Sequence, residues 1–433
     1  MVCRVGKRRL VTLSQGVPWW RRPEHLLDGV APAFFADVLN LRAAIGAAVV
    51  PLASVLTVTA ASGKTYCDAN GTIKTAGANE ARIDWSGVAA ELLLEGPSTN
   101  LFLYSEDFTK SAWTKNNCTV TPSAGLAQTG AVTATKVATN NTLNSGHIRQ
   151  DVSMTSGIPY SVSIYVAQSG FSWLYIFTSD GATALDGWVN VATGATANVA
   201  VGLTITVTAA AFGARRISAT RVSGNTGTGN FRFYPASSVG APLSSVTGGN
   251  GTDGVLVWGA QCEAQGAATS YIPTSGSAVT RATDLCQLTA GAAAAIQGAS
   301  AGIAWRGNIP VAQSGQQIVG LGDGLNLIRA TNTPNTRLAI FNATSGLALE
   351  VGTDVIPGAV GLCAGWGASG ARLAVNGTAA SAAQTNSWPT TVYLGASSGL
   401  STGQVLRLRQ LVGWALTDQP SAAGAILQAR LAA

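Results

Sequence analysis

The sequence predicts a mainly β protein: two tandem β-sandwich domains, jelly-roll or lectin-like, after an N-terminal anchoring segment with one short helix. Three observations carry this prediction. Short runs rich in β-branched and aromatic residues recur at intervals of roughly 10–15 residues, the spacing of sandwich strands. Several of them alternate with a period of two, as in Tyr160–Ala167 (YSVSIYVA). Gly, Asn and Thr fill the intervals, and charged residues make up only 11% of the chain, against about a quarter in ordinary soluble domains.

Residues 1–50 read as the anchor. Arg4, Lys7, Arg8, Arg9, Arg21 and Arg22 precede the first acidic residue, so the basic start carries the whole net charge of +6. Trp19 and Trp20 lie just before Pro23. Phe34, Val38, Leu41 and Ile45 have helical spacing, with Pro32 near the first turn, which predicts a short helix there. The segment is apolar but too short for a core of its own, so it is expected to bury itself on another protein. The docking candidates are Trp19, Trp20, Arg21, Arg22, Phe34, Phe35 and Val38; packing on its own chain is the alternative. The basic start is read as a docking peptide for acidic protein surfaces in preference to a nucleic-acid contact.

Residues 51–91 form a strand-hairpin connector, with Asp68-Ala69-Asn70-Gly71 as its turn. Residues 92–283 form the first sandwich. Leu92, Leu93 and Leu94 are a run that can be buried on both faces, ended by Gly96-Pro97, where no ladder bond is needed. Ser105, Glu106 and Asp107 suit a turn, and Trp113 suits a core anchor. Val255 and Val257 alternate with Leu256 and Trp258, a strand buried on both faces, with Trp258 a second anchor. Residues 284–433 form the second sandwich, with strands around Gly302–Trp305, Trp366 and Leu406–Ala415, a hairpin ending at Asn376-Gly377, and a short helix at about 418–431.

Little in the sequence points to catalysis. A Ser-His-Asp or Cys-His site needs His25 or His147, which sit in the anchor and in a predicted strand. The carboxylate pairs Glu91/Glu95, Glu106/Asp107 and Asp180/Asp186 read as strand-end and turn residues before they read as glycosidase pairs. Asp180 and Asp323 are weak calcium candidates without EF-hand spacing. GLGDGLN (residues 320–326) lacks the Lys-Ser/Thr ending of a phosphate loop and reads as a hairpin. Cys3, Cys67, Cys118, Cys262, Cys286 and Cys363 show no metal spacing and are expected to be buried free thiols. No catalytic, cofactor or metal site is therefore expected. The uncharged stretch 43–63 contains Pro51 and several Ser and Thr residues, which argues against a membrane span, and no signal peptide is evident. Binding is the live function. Trp173, Tyr175, Trp188, Trp366 and Trp388 are the candidate glycan contacts, with burial in a core or interface as the alternative for each.

Several segments, in order, resemble the β-sandwich module of bacteriophage head-spike, head-fibre and tail-fibre proteins. They are the lead-in from Leu52 with its Arg82-x-Asp84 pair, Leu92–Lys115, His147–Gln168 and Val255–Asp284. The C-terminal part is similar to laminin-G or concanavalin-like folds in its Asn376-Gly377 hairpin and its late strand followed by a helix. The resemblance implies a virion protein assembled in the host cytoplasm. Its N-terminus would dock on capsid, portal, collar or tail proteins, and a homotrimer would present loops to host surface polysaccharide. Two other readings stay open. One is a purely architectural component such as a collar, whisker or capsid decoration. The other is a polysaccharide depolymerase, which is disfavoured because long repetitive β-helix tracts are absent.

Overall fold

Strands between Thr114 and Glu263 build a jelly roll of two six-stranded sheets. A computed structural model describes residues 18–430 apart from residue 88 and residues 141–145, 241–249, 298–299, 311–316, 322–325, 332–336, 343–346, 352–353, 384–391, 396–399 and 401–403. One six-stranded sheet runs Cys118–Gly125, Ala134–Thr139, Gly254–Glu263, Pro159–Ser169, Arg215–Val222, Leu203–Ala209. The other runs Thr114–Asn116, His147–Met154, Gly227–Ala236, Trp173–Ser179, Ala184–Asn190, Thr196–Ala197. Neighbours in both sheets pair antiparallel. The inner faces supply Val137, Ile148, Ile164, Leu174, Ile176, Phe231 and Val257, and Phe102, Phe108 and Trp113 close one end. Each such large side chain contributes roughly 1.5–3 kcal/mol on burial.

The second sandwich is made from both ends of the chain, so the expected succession of domains is corrected. The jelly roll is inserted, and Leu56–Thr59, Ile83–Asp84 and Glu91–Glu95 belong to the sheets of the terminal sandwich, while Thr65–Cys67 and Ile73–Thr75 form a two-stranded sheet of their own. In its ten-stranded sheet the long strand Val405–Leu416 takes two N-terminal strands along one edge, end to end. Phe34–Asp37 pairs with Gln410–Gly413, and Glu91–Glu95 pairs with Val405–Leu408. Ser300–Ile309 covers the opposite edge. The facing seven-stranded sheet likewise joins Leu56–Thr59 to Leu285–Leu288. Trp305, Trp366, Phe34, Leu92, Leu94 and Leu338 fill the core between the sheets.

The predicted anchor helix is replaced by a hairpin of Phe34–Asp37 and Arg42–Ile45. Its apolar run is buried on both faces: Phe34 enters the main core, while Phe35 enters a second cluster with Trp20, Leu27, Val412 and Trp414. A short run apolar on both faces reads equally well as strand or helix. Here the turn decides: Leu41 takes φ +51° and is exposed, and the Asp37 carboxylate accepts from Asn40 and Arg42. Trp414 Nε1 donates to the His25 carbonyl, and Gln428 of the helix Ala422–Ala429 donates to the Glu24 and Leu26 carbonyls. The described part of the anchor therefore packs on its own chain, and Trp20, Phe34, Phe35 and Val38 are internal.

Phe34 lies over Gly413, where an added Cβ would stand 2.2 Å from the ring. Gly413→Ala is expected to destabilise the chain by about 1–3 kcal/mol, as overpacking does. A denaturant titration checks this, and an unchanged midpoint would contradict the packing.

The hairpin signals hold. Asn70-Gly71 turns Thr65–Cys67 onto Ile73–Thr75, with Gly71 at φ +79°. Asn376-Gly377, both with positive φ, join Gly370–Val375 to Thr378–Ala382. Gln317–Leu321 and Asn326–Thr331 pair as the hairpin expected of GLGDGLN. No helix among the described residues is long and apolar enough to cross a membrane.

Candidate functional site: a cleft between the two sandwiches

The chain crosses between the sandwiches twice, at Gly96–Asn100 and at Gln265–Asp284, and the crossings are tied together. Ser98–Asn100 pairs with Val279–Arg281. Buried Asn100 donates to the Ile272 carbonyl at 2.8 Å and accepts from the Cys262 and Phe102 amides. Beside this ribbon lies a buried ionic clamp. Arg82 donates to Glu95 at 2.7 Å and to Asp284 at 2.6 Å, Lys64 reaches Asp284 at 2.5 Å, and Arg281 stands 3.1 Å from Glu95. Glu95 also accepts from the Ser270 amide and hydroxyl. Glu263 accepts from Ser98, Gln261, Gln265 and Thr269. Three cations thus face Glu95 and Asp284, Glu263 is held by neutral donors, and nearly every lone pair has a donor, the condition under which buried charge is tolerated. Burial alone would raise the Glu95 pKa, but Arg281, Arg82 and Ser270 together hold the carboxyl far below its usual range. Burial draws the Lys64 ammonium below its ordinary value despite Asp284.

In front of the clamp opens a cleft of about 790 Å³, within the size range of small-ligand sites. One wall is the hairpin with Tyr66, Cys67 and Ile73 and the turn Trp85-Ser86-Gly87. The other wall is the outer face of a jelly-roll sheet, with Tyr165, Thr206, Thr208 and Arg216. Asp84 shapes the first wall. It accepts from the Cys67 amide at 2.9 Å, the Ser86 amide at 3.0 Å and Arg407 at 2.8 Å. Burial opposes that charge, but Arg407 and Ser86 keep the Asp84 carboxyl below its ordinary pKa. It is held as an anion with its lone pairs engaged, a brace and not a proton donor. Tyr66 and Trp85 are half-buried and offer ring surface to the cleft. Behind them Trp258 packs on Tyr165 and Tyr271. Trp258 is therefore a buried junction residue and not an anchor of the jelly-roll core, whereas Trp113 is that anchor. The histidines lie elsewhere, His25 against Phe35 and His147 against Tyr234. The cleft offers aromatic faces, hydroxyls and guanidinium donors, which is the chemistry of binding.

Cys67 lines the cleft as a free thiol, as Cys118, Cys262, Cys286 and Cys363 are free elsewhere. Burial, then the charges of Asp84 and Asp68, push its pKa up to about 12. At pH 8 its alkylation in the folded chain is expected to be slower by about a thousandfold than after unfolding, since the thiolate is the nucleophile. Mass spectrometry of alkylated peptides checks this, and equal rates would contradict it.

The aromatic residues expected to contact glycan are placed otherwise. Tyr175 and Trp188 are buried in a cluster with Phe177 and Tyr234 on the outer face of a jelly-roll sheet, with half-buried Trp173 beside it. Trp366 is in the terminal core, and Trp388 lies outside the described residues. Of the docking candidates not buried, Trp19 stacks under Arg42 at 4.0 Å, and Arg21 and Arg22 are exposed. The carboxylate pairs are separated by their partners. Glu91 holds Arg409 at 2.7 Å while Glu95 is in the clamp, and Asp186 accepts from Tyr175. Asp107 caps its own turn through the Thr109 amide, and Glu106 accepts from Tyr271. Asp180 is surrounded by donors, the amides of Ala182, Thr183 and Gly224 and the Arg221 guanidinium, which corrects its reading as a calcium ligand. Asp323 and Cys3 lie outside the described residues. A second hollow, beside Glu106, Asp107 and Lys110, has charged groups already engaged by Tyr271 and by one another.

Sequence reasoning missed Tyr66, Trp85 and Arg216. The available signal was the lead-in around Arg82-x-Asp84, whose acid fixes the Trp85 turn. No protein-family model matches the chain, and no curated protein matches it.

Proposed function

We propose that this chain is a structural protein of a bacteriophage particle, a head or tail fibre or spike, and that it contacts host surface saccharide through the cleft between its sandwiches. The observation that carries the saccharide part is the cleft itself. Half-buried Tyr66 and Trp85 line one wall and Thr206 and Thr208 the other, a combination of aromatic and hydroxyl side chains that suits sugar rings. The phage part is supported by the sequence resemblance, whose quoted segments meet at one junction: Arg82 and Glu95 from the opening pieces, Asp284 from the closing one. Attachment is assigned to the N-terminal end, where Arg21 and Arg22 are exposed. A symmetric trimer would turn weak saccharide contacts into avidity.

The test is immunogold labelling of particles purified from a culture that produces the chain. Label on the particle surface supports the proposal. Chain that is abundant in the lysate but absent from purified particles overturns it. Host polysaccharide incubated with the purified chain is expected to bind without releasing reducing ends. Their release would favour a depolymerase.

A further inference from the structure

We infer that the cleft selects saccharides bearing a carboxylate, and that Arg216 is the residue that reads the acid. This rests on the saccharide reading above and adds the charge of the ligand. Arg216 lies in the strand Arg215–Val222 and is half-buried. Its Nη2 donates to Ser163 Oγ at 3.0 Å and to the Thr269 carbonyl at 2.6 Å, and the Tyr165 ring lies 5.5 Å away, so the guanidinium is held in one orientation. Its Nε is buried and has no hydrogen-bond partner, no carboxylate of the described residues lies within ion-pair distance of the guanidinium, and a ligand would meet it from the Nη1 side. The two other charged residues lining the cleft, Asp84 and Arg407, pair with each other at 2.8 Å. Of the charged side chains that line the cleft, Arg216 alone has no carboxylate partner among the described residues.

A partly desolvated guanidinium without a counterion is costly, and a carboxylate that reaches its free Nη1 would supply one. One uncompensated cation suits a monoanion better than a phosphate dianion. Trp85 and Tyr66 across the cleft supply ring surface for the sugar to which that carboxylate belongs.

Calorimetry on the intact chain tests this, using oligosaccharides cut from the host capsule in native and carboxyl-reduced form. The native form is expected to bind about tenfold more tightly, and the advantage should shrink as salt is raised. Arg216→Gln should remove the advantage, whatever stability is lost with the Ser163 and Thr269 bonds. Arg216→Lys should retain part of the advantage. Equal wild-type affinity for the two forms, or a preference that survives Arg216→Gln, overturns the inference and leaves the saccharide reading standing. Inorganic phosphate that displaces the native form as well as a free uronic acid does also overturns it. Binding of neither form overturns both.

Discussion

Replacing Arg82 with Ala is expected to destabilise the chain by about 3–5 kcal/mol, the cost of breaking a buried ion pair from one side. Arg82 is buried and donates to Glu95 and Asp284, which come from opposite crossings of the chain. Without it, Glu95 retains Arg281 and Asp284 retains Lys64, but both carboxylates lose a charged donor in a buried place. The loss falls on the junction, so the variant should also weaken the saccharide binding proposed above, because the cleft wall next to the clamp is no longer fixed. Urea unfolding and saccharide binding measure the two effects. A loss below about 1 kcal/mol, the range of exposed pairs, would show that the clamp is not isolated from water.

The same clamp sets an acid limit. The folded chain holds the Glu95 and Asp84 carboxyls below their unfolded values. Groups depressed in this way stabilise the fold fully above the unfolded carboxylate pKa of about 4 and progressively less as pH falls toward the folded values. Stability should therefore be flat with respect to these groups near neutrality and fall below about pH 4. Arg82→Ala should flatten that fall, since the depression of Glu95 depends partly on Arg82.

The second large effect is expected at Trp113. Its indole is buried against Phe102 at 5.1 Å and Phe108 at 4.8 Å, and Nε1 donates to the Tyr104 carbonyl at 2.7 Å. Trp113→Ala removes the largest plug at one end of the jelly roll and leaves that carbonyl without its donor. About 3–5 kcal/mol is expected, the cost of deleting a large buried aromatic. The damage should be local. Amides of the jelly-roll strands should lose hydrogen-exchange protection, while those of Ser300–Ile309 in the terminal sandwich keep theirs. Uniform loss across both sandwiches would show that they unfold as one unit.

Much of the fold was legible because its signals are local. Alternation marked Pro159–Ser169 and Gly254–Glu263, Asn-Gly marked two turns, and Trp113 was identified as core from its place after a turn. What was not legible depends on partners distant in sequence. Leu92–Leu94 looked like the first strand of the sandwich that follows it, yet it pairs with Leu406–Leu408 at the other end of the chain. Phe34 and Phe35 point into two different cores, so their run has no single apolar face to reveal its period. The site was less legible still. Trp173, Tyr175 and Phe177 share one face of their strand, and sequence does not show that this face is covered. Arg216 lies outside the segments that carry the resemblance. Its significance comes from what it lacks, a carboxylate partner among the described residues, and only three dimensions show that.

The two ends of the chain close one sandwich, and this closure frames the cleft. Hydrogen exchange on the intact chain, read by mass spectrometry, tests it most directly. Peptides covering Phe34–Asp37 should exchange as slowly as those covering Val405–Leu416, because the two strands share a ladder. Rapid exchange at Phe34–Asp37 beside full protection of Val405–Leu416 would contradict the claim and return the N-terminal segment to the role of a free docking arm.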